Sequence, residues 1–314
     1  MKYKVLIPQE VSSKAIAYLE ENDCECICLE DCSVETMCKY VGDCDAILAR
    51  TADFNQKVLK NGRKLKVIAR HGAGLDNIDL NYAKEKGIVV TNTPGANSNS
   101  VAEHTLALML ACAKNIPVFD RITREGDWVR RDTDKTIDLA GKTLGLIGFG
   151  RISALVAKKA ALGLDMKILV YRTHRHTELP NYVKEAVNME EVLRNSDVVS
   201  FHMPLRPDTE TVINKETLGM MKESAYFINM ARGGSVDEEA LYDALVHHRI
   251  AGAALDVFAT EPPEKNNPLF QLENLIVSPH NAAHSFDSMD RMAYRAATEI
   301  VRVLNDEQPQ WPVA

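Results

Sequence analysis

The sequence contains no block of basic residues and no apolar run long enough to cross a membrane. With 37 Lys and Arg against 44 Asp and Glu, the net charge is −7. That balance gives nucleic-acid binding no electrostatic footing. The opening Met-Lys-Tyr-Lys-Val-Leu-Ile, cut by Pro8, reads as a first strand and not a signal peptide, so no secretory leader is expected. Cys-x-x-Cys pairs are absent, although six of the seven cysteines crowd into residues 24–44. Without such a pair or a nearby histidine, no metal site is expected there. Cys24, Cys26 and Cys28 alternate along an expected strand, so they share one face as small hydrophobes. An odd cysteine count without a leader fits reduced thiols. These absences lead us to expect a soluble, cytoplasmic protein with no membrane or nucleic-acid partner.

What is present describes an ordinary globular chain, 46% hydrophobic and 26% charged. Its 314 residues exceed what one core usually supports, so two domains are expected. In the first hundred residues, short apolar strands (near 3–7, 25–29, 46–49 and 65–69) alternate with helical patterns (near 11–20, 34–40 and 56–59). Such alternation means a parallel sheet with helices on both faces. A turn-rich stretch, Thr93–Asn97, is a hinge candidate, and from Ser98 an almost wholly apolar helix begins. That helix should be buried between domains or in a subunit interface. Residues 119–139 are polar, with an isolated Trp128, and read as a loop or arm.

A second α/β series starts at Thr143-Leu-Gly-Leu-Ile-Gly-Phe-Gly-Arg-Ile-Ser153. The apolar run ends in Gly148 and Gly150, and a helical pattern follows from Arg151 and Ile152. A strand, a glycine turn and a helix start offer free N–H groups and room for a pyrophosphate. The third glycine of the usual G-x-G-x-x-G is Ser153 here. The next strand, 167–171, leads into Arg172, Thr173 and Arg175. A dinucleotide domain selecting NAD usually has a carboxylate at that point for the ribose 2′-hydroxyl. Arginines with a hydroxyl suit a 2′-phosphate instead, so NADP is the expected cofactor, with NAD possible.

Beyond later strands stand Arg232, Glu261 and His280. Ligands of doubly wound sheets bind at the carboxyl ends of strands, so all three can face one crevice. An Arg fork grips a carboxylate, while a Glu beside a His favours the imidazolium. That set suits reduction of a 2-keto acid by a nicotinamide. In the first domain, Arg70-His-Gly-Ala-Gly74 follows a strand, and its Ala73–Gly74 backbone can cradle a carboxylate.

Over nearly its whole length the sequence resembles the D-isomer-specific 2-hydroxyacid dehydrogenases. The resemblance is carried by Leu144–Ile152, His202–Thr209, Ile228–Glu238, Ile250–Pro263 and Ser278-Pro-His280. It implies two doubly wound α/β domains, a Rossmann cofactor domain (97–283) inserted into a flavodoxin-like substrate domain (1–96 and 284–314). By position, Arg232 would bind the substrate carboxylate, His280 would be the general acid, and Glu261 would raise the imidazole pKa. Asp256 would contact the nicotinamide carboxamide, with Met203, Pro204 and Thr209 lining the cofactor cleft. Arg50 and Arg70 at the pocket rim look most like the phosphoglycerate dehydrogenase subgroup. The favoured expectation is an NADP-preferring reductase of small 2-keto acids, working as a homodimer. An NAD-dependent D-3-phosphoglycerate-type dehydrogenase is the alternative. A dinucleotide-sensing corepressor is a second, disfavoured because no extended polar tail is present. Asn281-Ala-Ala283 after His280 departs from the family's usual sequence, which leaves substrate choice least constrained.

Overall fold

A computed structural model describes residues 2–174 and 178–313. The chain forms two compact units, Met1–Asn97 with Ala283–Ala314, and Ser98–Ala282. In the first unit the elements run β1 (Tyr3–Ile7), α1 (Ser13–Glu21), β2 (Cys24–Cys28), α2 (Val34–Tyr40), β3 (Ala46–Ala49), α3 (Gln56–Asn61), β4 (Val67–Arg70), α4 (Leu80–Glu85) and β5 (Val89–Thr91). The sheet is wholly parallel, in the flavodoxin-like order β2-β1-β3-β4-β5. Its strands read as continuous apolar runs because both faces are covered; every residue of β3 is buried. Each helix is started by a side chain that takes a first-turn N–H: Ser12, Ser33, Asn55 and Asp79.

The second unit contributes α5 (Ser98–Ala113), α6 (Ile116–Glu125), α7 (Arg130–Thr133), β6 (Thr143–Ile147), α8 (Arg151–Gly163), β7 (Lys167–Tyr171), β8 (Val183–Glu185), α9 (Met189–Asn195), β9 (Val198–Phe201), α10 (Lys215–Leu218), β10 (Tyr226–Asn229), α11 (Glu238–Val246), β11 (Gly252–Leu255) and β12 (Leu275–Val277). Its parallel sheet runs β12-β11-β10-β9-β6-β7-β8, with the direction of winding reversing between β6 and β9. This is the Rossmann order. The last helix, α12 (Phe286–Leu304), returns to the first unit. Its buried Ala293, Ala296, Ala297 and Ile300 face α1, β3 and β4. No helix among the described residues is long and apolar enough to cross a membrane.

Two expectations need correction. The stretch read as a loop or arm from 119 contains α6, whose Pro117 suits a first turn and whose Gly126 closes it at φ 80°. Its buried residues, Val118 and Ile122, lie one turn apart on either side of the start of the polar stretch, so a reading that begins at 119 cuts the period. Cys24, Cys26 and Cys28 do alternate on one face, but β2 is a sheet edge. Burial fades along it, from buried Cys24 through half-buried Cys26 to exposed Cys28. All seven cysteines are free.

Candidate active site

Strands β10, β11 and β12 are neighbours in the second unit, and each runs into a turn that presents one polar side chain. The turn after β10 is shaped by buried Asn229. Its side chain accepts the Ala231 N–H at 3.0 Å and donates to the Arg232 carbonyl at 3.0 Å. Gly233 follows, and a Cβ there would overlap the Phe258 carbonyl. The two backbones can meet only at glycine, which brings the turn after β10 against the turn after β11. Arg232 donates from Nη1 to the Ala231 carbonyl at 2.7 Å. Its charge acts on both Glu261 and His280.

Glu261 divides its oxygens: Oε1 accepts the Phe258 N–H at 3.0 Å, and Oε2 lies 2.6 Å from His280 Nδ1. Burial pushes the Glu261 carboxyl up, but the His280 and Phe258 hydrogen bonds and the nearby cations outweigh it, leaving the group below its usual range. The hydrogen bond His280 donates to Glu261 raises the His280 pKa above the ordinary imidazole value; burial opposes this, and the charges of Glu261 and Asp256 add to the rise. With Nδ1 committed, Nε2 is the nitrogen that can pass a proton to a ligand. The imidazole is about half exposed (52%), so a small molecule can reach it.

His280 sits in the left-handed region at φ 50°. Asp256 secures the segment around it: Oδ1 accepts from Ser278 Oγ at 2.6 Å and Asn281 N–H at 3.0 Å, Oδ2 from Ala282 N–H at 3.1 Å. Thus the residue expected to touch the nicotinamide has both oxygens committed to the His280 segment.

The glycine turn closes β6. Gly148 adopts φ 96°, and a Cβ there would press on Met203 and the His202 carbonyl carbon at 2.9–3.0 Å. A Cβ built on Gly150 meets nothing within 4 Å. The open side of that glycine belongs to a cavity of about 170 Å³ lined by Gly148, Gly150, Arg172, Met203, Pro204 and Thr209. Ser153 is wholly buried; its hydroxyl accepts the Gly150 N–H at 2.8 Å and donates to the Gly150 carbonyl at 3.2 Å. The Arg151 and Ile152 N–H groups at the helix start have no intrahelical acceptor. Thr209 braces its loop, accepting the Arg206 N–H at 2.7 Å and donating to the Pro204 carbonyl at 2.6 Å.

Arg172 behaves differently from expectation. Its side chain is 8% exposed and forks onto Glu185 of β8, with Nε and Nη2 each 3.3 Å from a carboxylate oxygen. Part of its charge is answered before any ligand arrives. Thr173 is exposed beside the cavity, and Arg175 lies outside the described residues.

In the first unit, Arg50 donates to the Glu10 carbonyl at 2.5 Å, and Arg70 donates to the His71 carbonyl. Burial and these two guanidinium groups push the His71 pKa down to about 4, so the ring is neutral at pH 7. Gly72 exchanges hydrogen bonds with Thr93, and the adjoining Ala73 is exposed. Gly74 follows in the same loop, partly exposed. The structure therefore assembles Arg232, Glu261 and His280 in the second unit and groups Arg50, Arg70 and the 72–74 loop in the first. Asn229, Ser278 and Glu185 escaped sequence reasoning. A polar residue ending an apolar strand was the available signal for Asn229.

By fold and by the position of its polar cluster, this is a doubly wound α/β protein of the dinucleotide-binding class. The family model for the D-isomer specific 2-hydroxyacid dehydrogenase NAD-binding domain matches residues 106–282. The chain belongs to that family. It is 38% identical to a hydroxypyruvate reductase of Thermotoga maritima, covering 96% of this chain and 99% of that one. A D-3-phosphoglycerate dehydrogenase of Archaeoglobus fulgidus is 39% identical over 96% of this chain, which spans 57% of that protein's length. Among solved structures, an NADPH-dependent glyoxylate/hydroxypyruvate reductase from Sinorhizobium meliloti superposes with a TM-score of 0.89 at 26% identity, covering 100% of this chain and 98% of that one.

Proposed function

We propose that the protein is a cytoplasmic oxidoreductase that interconverts a small 2-keto acid and its D-2-hydroxy acid, preferring NADPH and working chiefly as a reductase. The observation that carries this reading is the 2.6 Å Glu261–His280 pair beside Arg232 at the strand ends. Seven free thiols fit a reducing compartment.

The residues fit a dinucleotide. Gly150 leaves open a space that any side chain would fill, and the Arg151 and Ile152 N–H groups at the start of α8 suit a pyrophosphate. Met203, Pro204 and Thr209 wall the same cavity, and Arg172 and Thr173 also line it and would meet the adenosine ribose. The bound nicotinamide supplies or accepts a hydride. Arg232 holds the substrate carboxylate and draws electron density from the adjacent carbonyl. His280 gives its Nε2 proton to the carbonyl oxygen in reduction and removes it in oxidation. Glu261 keeps the imidazole charged and oriented for that transfer. In the first unit, the Ala73–Gly74 backbone suits a carboxylate, and Arg50 and Arg70 add positive charge beside it.

The Arg172–Glu185 pair favours one second reading, an NAD-dependent enzyme of the phosphoglycerate type, because Glu185 competes with a 2′-phosphate for the guanidinium. Steady-state rates on a panel of 2-keto acids, including glyoxylate and hydroxypyruvate, with NADPH and with NADH separate the two. Higher kcat/KM with NADPH on small acids supports the first reading, whereas NADH and phosphorylated substrates would support the second.

A further inference from the structure

Helix α5 bears on the turn that carries His280, and nothing in the reaction described above uses that contact. Ser100 Oγ donates to the Ala282 carbonyl at 2.7 Å. One turn on, His104 Nε2 lies 3.0 Å from Ser278 Oγ and 3.8 Å from Asp256 Oδ1. The two contacts fall on either side of His280, two residues away in each direction. Ser278 has a single hydroxyl proton, which it gives to Asp256 at 2.6 Å. His104 must therefore donate its Nε2–H to the serine oxygen, and that donation aims the serine proton at Asp256. Asp256 in turn gathers the Asn281 and Ala282 N–H groups.

His280 needs such restraint. A left-handed backbone is unfavourable for a residue with a Cβ and persists only where its surroundings over-determine it. The platform is rigid, since Val101, Ala102, Thr105, Leu108 and Met109 of α5 are buried against α8 and β10–β12. We propose that Ser100 and His104 are positioning residues that clamp the 278–282 segment from α5 and so hold His280 in register with Glu261 for proton transfer. This inference rests on the functional reading above.

The test compares His104→Leu, His104→Gln, Ser100→Ala, Ser278→Ala and the His104→Leu/Ser278→Ala double variant with the wild type. Two readouts are used, steady-state kinetics with NADPH and NMR titration of His280, the second of which needs no turnover. We expect His104→Leu to lower kcat roughly tenfold, as small misplacements of a reacting group do, with cofactor KM within about twofold. His104→Gln, which retains an N–H donor, should recover most of the rate, and the double variant should be no slower than its slower parent. The His280 titration midpoint should move down in His104→Leu and in Ser100→Ala. Multiplying losses in the double variant, a Gln variant as slow as Leu, or an unmoved His280 midpoint would each overturn the clamp. If the wild type reduces no 2-keto acid, the functional reading fails, and the His280 titration alone still decides the clamp.

Discussion

His280 combines a strained backbone with a short bond to Glu261, and the sign of its pKa shift sets how the rate depends on pH. Reduction needs the imidazolium. Because the folded-state value is raised, kcat/KM for reduction should begin to fall at a higher pH than an ordinary imidazole would impose. Oxidation of the hydroxy acid, which needs the neutral ring, should rise over the same interval. Glu261→Gln should move both limbs down toward 6.5 and slow reduction at pH 7.5; stopped-flow pH profiles read this directly, and unmoved limbs would separate Glu261 from the reaction. At the other end of the crevice, Glu185 occupies the fork of Arg172. Glu185→Gln should remove the charge of that ion pair and raise the NADPH-to-NADH ratio of kcat/KM roughly tenfold, about the worth of one charge-assisted hydrogen bond. An unchanged ratio would leave Arg172 without a part in cofactor choice.

At the scale of elements, the start of α8 shows where sequence reasoning succeeds and where it ends. An apolar run, a glycine pair and a helical period were enough to place β6, the turn and α8, because each is a local property of backbone and pattern. The hydrogen bonds made by the Ser153 hydroxyl were not visible. Its hydroxyl returns to the Gly150 N–H, consuming a donor that would otherwise face an anion. Ser153→Ala should release that donor and tighten cofactor binding by roughly 2- to 10-fold, the range of one hydrogen bond of about 0.5–1.5 kcal/mol. Fluorescence titration measures it, and weaker binding in the variant would contradict the arrangement. Arg232, Glu261 and His280 were legible for a related reason: each follows a strand, and strand ends share one edge of a parallel sheet. Helix α6 was hidden because its first turn, with Ile116 and Val118, precedes the stretch read as polar from 119, which split its apolar period. Strand β8 is three residues long, and its Glu185 meets Arg172 across thirteen positions of sequence, a pairing no local pattern encodes.

For the whole molecule, each of the two units has its own core; the second holds the proton donor and Arg232, and the first holds the exposed 72–74 loop and two arginines. The α5–α8 face of the second unit leaves Leu110 36% and Leu162 64% exposed beside Leu106 and Leu155. Apolar side chains gathered on one face fit a subunit contact, and we propose a homodimer built there. Light scattering at micromolar concentration should give twice the mass of one chain, and Leu162→Asp should halve it; a monomeric wild type would remove the proposal. The most direct test of the enzyme as a whole is His280→Gln, assayed with NADPH and the best 2-keto acid of the panel alongside cofactor titration. Turnover should fall about 10³-fold, as expected for loss of a general acid, while cofactor Kd stays within about twofold. Turnover close to that of the wild type, or a loss of cofactor affinity matching the loss of rate, would contradict the role assigned to His280.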